Sequence, residues 1–200
     1  MNKIITIGRE FGSGGREFGR RLAEELGFEY YDKEIVTEIA KHTELSEKYV
    51  QQVLECDPHT LFPITVGHTF SYINNYGIER QQAIYREQTA VIRDMAQKSN
   101  CVIVGRCADF ILRDLNPFKI FVYSQNGCKI RRCRERGEAI ENLSDKKLLR
   151  YIKSIDKSRA RYYSFYTGQN WGDKVNYDIF VNTPTTDMET IVPIIAKMFK

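Results

Sequence analysis

Lys3-Ile4-Ile5-Thr6-Ile7-Gly8-Arg9-Glu10-Phe11-Gly12-Ser13-Gly14-Gly15-Arg16-Glu17-Phe18 joins an apolar run to a glycine-rich turn and the start of an amphipathic segment. Lys3 to Ile7 is expected to form a short buried strand, because Ile4, Ile5 and Ile7 are β-branched, and Gly8 is expected to end it. Beyond the glycines, Phe18, Leu22 and Leu26 recur every four residues, while Arg20, Arg21, Glu24 and Glu25 fall on other faces. That spacing predicts a helix, with Gly27 as its stop. The opening is therefore strand, glycine turn, helix. A helix N-terminus leaves backbone N–H groups without intrahelical partners and carries partial positive charge. Glycines let the chain curl closely round an anion there, which is how phosphates are cradled.

The same alternation continues downstream. Residues 28–32 read as a second strand, and 33–56 as helical. Residues 57–76, with Pro58, Pro63 and Gly67 among aromatics and two histidines, read as an irregular loop. Residues 79–98 predict a long helix carrying Ile84, Val91 and Met95 on one side. Residues 101–104 and 118–123 are the third and fourth strands, and 177–181 the fifth. Residues 144–163 and 187–199 are further helices, with Pro193 marking a kink or a first turn. Strand runs such as Val102-Ile103-Val104 are continuously apolar, as in strands covered on both faces. The fold class is α/β, a three-layer sandwich around a five-stranded, mainly parallel sheet.

Composition closes off other classes. The chain has 200 residues, which suits one domain with a sizeable core. It is 42% hydrophobic and 28% charged, which excludes collagen-like and wholly disordered chains. No run is long enough to span a membrane, and the apolar stretch at the N-terminus is too short for a secretory signal. A cytoplasmic location is expected. The five cysteines contain no CxxC pair and the three histidines are scattered, which argues against structural zinc and for reduced thiols. Net charge is +4, too mild for a nucleic-acid footprint over the whole chain. The positive charge is instead local.

The turn can be set against the P-loop pattern G-x-x-x-x-G-K-[ST]. With Gly14 on its second glycine, Gly12-Ser13-Gly14 is in place, Arg9 stands at the first glycine, Gly15 at the lysine and Arg16 at the hydroxyl residue. The turn reads as tight strand-to-helix packing or as a phosphate cradle in which Arg9 or Arg16 takes over neutralisation, since a guanidinium pairs bidentately with phosphate. The magnesium ligand is open between Ser13 and Glu17. Arg106 follows the third strand, at the sheet edge where ligands of open α/β folds bind. It meets an anionic substrate there, or pairs with Asp109 at the surface. Lys129 to Arg136 is a basic run in which Arg132 and Arg136 share a helical face. It reads as an arginine lid over a triphosphate, a solvated face, or an RNA contact. Asp156 and Arg159 stand three apart, so they meet on one side of a helix. Trp171, with Gly168 and Gly172 on its two sides, is most simply a packing anchor for the loop.

Taken together, Gly8 to Gly15, Tyr30-Tyr31-Asp32-Lys33-Glu34, Val102-Ile103-Val104-Gly105-Arg106 with Ala108-Asp109, and Asp156-Lys157 through Arg161-Tyr162-Tyr163, Thr167-Gly168 and Trp171-Gly172 to Tyr177-Asp178 resemble the cytidylate kinase-like family of P-loop nucleoside monophosphate kinases. The resemblance covers nearly the whole chain. It implies a single kinase-like domain over 1–200 with a small helical lid, an acceptor-binding insert at about 33–78 and an arginine-rich lid segment at about 126–172. It implies ATP and Mg²⁺ as cofactors, nucleotide substrates, and phosphoryl transfer to a monophosphate such as CMP or dCMP. Gly12, Ser13, Gly14, Gly15 and Arg16 would bind ATP. Arg9, Arg16, Arg132 and Arg136 would neutralise the transferred group. Asp32, Arg106, Asp109, Asp156 and Arg159 would bind the acceptor, Arg106 holding its phosphate. Neither nucleic acid nor membrane is expected as a partner, and a homodimer is possible in this reading. The altered P-loop also leaves open a non-catalytic nucleotide-binding or regulatory module. The family's acidic residue before Gly105-Arg106 is Val104 here, and Ile152-Lys153 replaces an Arg-Asp pair.

Overall fold

A computed structural model describes residues 2–55, 76–135, 143–183 and 187–199. Five strands form one sheet in the order β2-β3-β1-β4-β5: β1 (Ile4–Arg9), β2 (Glu29–Tyr31), β3 (Cys101–Val104), β4 (Phe118–Tyr123) and β5 (Ile179–Asn182). All four pairings are parallel, so the sheet is wholly rather than mainly parallel. β1 is central, paired Ile5 to Val102 on one side and Ile7 to Ile120 on the other.

Side-chain alternation divides the core into two layers. Ile5 and Ile7, Val102 and Val104, and Ile120 and Val122 face α1 (Gly15–Leu26) and α8 (Met188–Ala196). Ile4, Cys101 and Ile103 face the other layer. That layer contains α2 (Lys33–Thr43), α3 (Glu47–Glu55), α4 (Tyr76–Lys98), α5 (Ala108–Ile111) and α7 (Asp145–Thr167). α6 (Asn126–Glu135) packs on α7 through a smaller cluster of Cys133, Leu148 and Ile152.

Several boundaries differ from the sequence expectation, each for a local reason. Gly8 does not end β1; the strand continues to Arg9. A Cβ on Gly8 would come within 2.7 Å of the Phe121 ring and 2.9 Å of Tyr177, so this glycine makes room for aromatic rings. The helical pattern over 33–56 is two helices. Glu44 adopts a left-handed conformation (φ 54°), and the N–H groups of Glu44 and Leu45 close onto Ala40 and Lys41 carbonyls. Ser46 then starts α3, its hydroxyl accepting from the Tyr49 N–H at 3.3 Å. α7 runs on to Thr167, and β5 begins at Ile179. Pro193 lies inside α8, beyond the first turn. The irregular loop expected at 57–76 lies almost entirely outside the described residues.

The carboxyl ends of β1 and β3 carry the least usual backbone. After β3, Gly105, Arg106 and Cys107 are left-handed in succession (φ 72°, 59° and 54°). A Cβ at Gly105 would sit 1.7 Å from Arg9 Nη1, so the Arg9 guanidinium occupies the space a side chain would need. Gly105→Ala is expected to lower unfolding free energy by about 2–4 kcal/mol, combining left-handed strain with displacement of Arg9. Urea denaturation measures this, and a loss below about 0.5 kcal/mol would show that the guanidinium is not confined there.

Candidate active site

β1 delivers Arg9 to the sheet edge, and the chain turns through Glu10–Gly14 before α1 starts at Gly15. Gly12 and Gly14 take positive φ (72° and 84°), which fixes the turn's shape. The loop is pinned from several elements. The Glu10 N–H donates to the Val122 carbonyl at 3.0 Å. Glu10 Oε2 accepts from the Ser124 N–H at 3.0 Å and pairs with Lys129 Nζ at 2.8 Å. The Phe11 N–H donates to Asp156 Oδ1 at 2.7 Å. The Ser13 carbonyl accepts from Arg132 Nη1 at 2.8 Å and Thr183 Oγ1 at 2.7 Å. Among the described residues, the amides of Gly12, Gly14, Arg16 and Glu17 find no acceptor. Four N–H groups thus remain at the positive end of a helix, a fit for phosphate oxygens.

Arginines surround this loop. Arg9 is buried, 8% exposed, beside Asp32 at 3.9 Å. Asp32 makes its close ion pair with Arg16, at 2.8 Å. Among the described residues, Arg9 Nε and Asp32 Oδ1 are buried without a hydrogen-bond partner. Burial, reinforced by the charges of Arg159, Arg106 and Arg16, pushes the Arg9 pKa down to about 9 against the pull of Asp32. Arg159 Nη1 donates to the Arg9 carbonyl at 3.4 Å, lies 3.9 Å from Asp156 and stands over the Phe11 ring at 5.6 Å.

Two clefts meet at these groups. The first, about 530 Å³, is walled by Glu10, Phe11, Gly12, Gly14 and Gly15 together with Arg16 and Arg132. The second, about 500 Å³, is walled by Arg106, Asp109, Tyr162, Tyr163, Trp171 and Tyr177 among others. Arg9 and Arg159 line both. In the second cleft the Tyr163 hydroxyl donates to Asp109 Oδ2 at 2.6 Å. Burial raises the Asp109 pKa, and this hydrogen bond partly opposes the rise. Trp171 packs edge-on against Phe121, at 5.2 Å between ring centres, while forming part of the wall.

The residues expected from sequence therefore sort into three groups. Gly12, Gly14, Gly15, Arg16 and Arg132 gather round the first cleft, Arg106 and Asp109 round the second, and Arg9 and Arg159 round both. Asp32 and Asp156, expected beside the acceptor, line neither cleft. Asp32 anchors Arg16, and Asp156 holds the loop backbone. Arg136 lies outside the described residues. Ser13 is fully buried, its hydroxyl donating to the Glu10 carbonyl at 2.8 Å, and Glu17 pairs with Arg21 at 2.8 Å. Among the described residues no three His, Cys, Asp or Glu side chains converge as metal ligands. Sequence reasoning placed Lys129 only in the basic run. It is buried, with Glu10 on one side and Asp156 at 3.4 Å on the other. It also passed over Gln88, which carries no local signal, and quoted Tyr162 and Tyr177 only as part of the family resemblance.

The cytidylate kinase-like family model matches residues 4–185. No curated protein matches the chain. Among solved structures, an uncharacterized protein from Eubacterium ventriosum ATCC 27560 is 32% identical, with 98% of each chain covered and a TM-score of 0.70. Shikimate kinase from Bacteroides thetaiotaomicron is 14% identical over 98% of each chain, with a TM-score of 0.58. Shikimate kinase from Acinetobacter baumannii, solved with shikimate, is 14% identical over 100% of this chain and 93% of that one, with a TM-score of 0.52. The two shikimate kinases share the fold. With a glycine loop at the end of a central parallel strand, a second cleft beside it and a family match over most of its length, this chain belongs to the cytidylate kinase-like family.

Proposed function

We propose that the chain transfers the γ-phosphoryl group of ATP to a nucleoside monophosphate, with CMP or dCMP as acceptor. The observation that carries this reading is that Arg9 and Arg159 line both clefts. The triphosphate tail lies on the free amides of Gly12, Gly14, Arg16 and Glu17, with Arg16 and Arg132 beside it. The acceptor phosphate lies in the second cleft against Arg106, its base among the tyrosines and Trp171. An oxygen of the acceptor phosphate attacks the γ-phosphorus, and the bond from that phosphorus to the β–γ bridging oxygen breaks, leaving ADP and a nucleoside diphosphate. Negative charge spreads over the equatorial oxygens in transit. Arg9 and Arg159 stand where that charge passes and stabilise it without moving. Mg²⁺ arrives as the companion of ATP. The α6 segment and the helix after it act as the lid, and α2 with α3 as the acceptor side of the domain.

ADP formation with ATP, Mg²⁺ and a panel of nucleoside monophosphates tests this directly. Turnover with CMP or dCMP is the expected result. ATP binding with no ADP formed for any acceptor would replace it with the non-catalytic module. Arg159→Met is expected to lower kcat by about a hundredfold or more, because a transition-state contact is lost. Arg132→Ala should lower kcat similarly while costing about 1 kcal/mol of stability, from its bonds to Ser13 and Thr183. Unchanged kcat in Arg132→Ala would remove the lid arginine from the mechanism.

A further inference from the structure

Gln88 is a polar side chain in an apolar place. It lies on α4 in helical register with Ile84, Val91 and Ile92, all buried, and is itself 0% exposed. An amide buried there costs about 1–3 kcal/mol unless hydrogen-bonded, whereas an apolar side chain would pack without that penalty. What Gln88 does with its amide is specific. Nε2 donates to the Arg106 carbonyl at 3.0 Å, and Oε1 accepts from the Tyr162 hydroxyl at 3.5 Å.

The Arg106 carbonyl belongs to the left-handed run Gly105-Arg106-Cys107. Two of those three residues carry side chains, and each such conformation costs about 1–3 kcal/mol unless its surroundings hold it. The described surroundings hold both ends of the run, the Cys107 carbonyl accepting from the Phe110 and Ile111 N–H groups at 3.0 and 2.8 Å. The Gly105 N–H donates to the Ile7 carbonyl at 2.9 Å, and the Ala108 N–H returns to the Gly105 carbonyl at 3.1 Å. Gln88 holds the middle of the run. This backbone decides where the buried Arg106 guanidinium stands, and Tyr162, the other partner of Gln88, is a wall residue of the same cleft. A regular strand exit would send residue 106 elsewhere.

We infer that Gln88 is a positioning residue for the second cleft: by bridging the Arg106 carbonyl and the Tyr162 hydroxyl it fixes the strained turn that presents Arg106 to the acceptor's phosphate. The inference rests on the acceptor reading of that cleft. It makes Gln88 matter for one substrate and not the other, since its hydrogen bonds go to Arg106 and Tyr162 and not to the glycine loop.

Gln88→Met keeps length and packing but removes both hydrogen bonds. Gln88→Glu is the second variant. As a carboxylate it cannot donate to the Arg106 carbonyl, and as a neutral acid it can, so it should regain function as pH falls from about 8 to about 6. Two measurements read the result. Alkylation of Cys107, located by mass spectrometry, reports whether the turn loosens, because Cys107 is buried within it. Quenching of Trp171, the chain's single tryptophan, reports CMP binding at the cleft wall. In Gln88→Met, Cys107 should alkylate faster and the Kd for CMP rise about tenfold or more, while the Kd for ATP stays within about twofold. Gln88→Glu should match Gln88→Met at the higher pH and approach the wild type at the lower. Unchanged alkylation and unchanged CMP affinity would overturn the inference. So would faster alkylation with equal loss of CMP and ATP binding, or with no loss of either. If no nucleoside monophosphate perturbs Trp171 in the wild type, the acceptor reading fails, and alkylation alone decides whether Gln88 holds the turn.

Discussion

Taking the Arg9 guanidinium out of water costs several kcal/mol, and Asp32, 3.9 Å away and already paired with Arg16, offsets only part of it. The charges acting most strongly on Arg9 are three arginines and one carboxylate. A structure that holds such a centre has a standing need for negative charge. In the proposed reaction phosphate meets that need, and the clefts that share Arg9 give it two directions of approach. The surrounding chain is shaped around this side chain. A Cβ on Gly15 would lie 2.4 Å from Arg9 Cβ, and one on Gly105 would coincide with the guanidinium. Two glycines from two different sheet exits therefore make room for one arginine.

The rest of the site is a frame for the loop. Glu10, the buried Lys129 and Asp156 form a partly buried chain of alternating charge behind it, and Asp156 also takes the Phe11 amide. Removing its carboxylates is costly because Lys129 is left buried and without an ion-pair partner. Arg132 and Thr183 hold the Ser13 carbonyl from the opposite side. In a tighter helix start that carbonyl would accept the Glu17 N–H; held away, it leaves the amide free for a ligand. The loop is thus pre-arranged by α6, α7 and the end of β5, and its open amides follow from where its carbonyls are tied.

Much of the fold is legible in the sequence because parallel strands buried on both faces read as unbroken apolar runs. Cys101–Val104 and Phe118–Tyr123 are found at the bounds their composition predicts. What the sequence hides is set by contacts across the chain. Glu44 ends a helix without a glycine, so its left-handed cap leaves no mark. Gly8 looks like a strand terminator because glycine usually is one; here two rings from distant segments require it. The spacing of Asp156 and Arg159 predicts their pairing, yet Asp156 is bonded to the Phe11 amide, 145 residues away, and does not line the second cleft. Lys129 and Gln88 sit on helices beside exposed residues of similar kind, and only the packing shows that they are buried.

A compound joining adenosine and cytidine through a pentaphosphate would place one nucleoside in each cleft and its phosphates across Arg9 and Arg159. Calorimetric titration of the wild type with this compound, with ATP and with CMP asks whether the clefts share one phosphate path. The joined compound is predicted to bind about a hundredfold or more tighter than either nucleotide alone, because its two halves reach their sites together. Affinity no better than that of ATP would mean that the two clefts do not meet at these arginines, and would contradict the account.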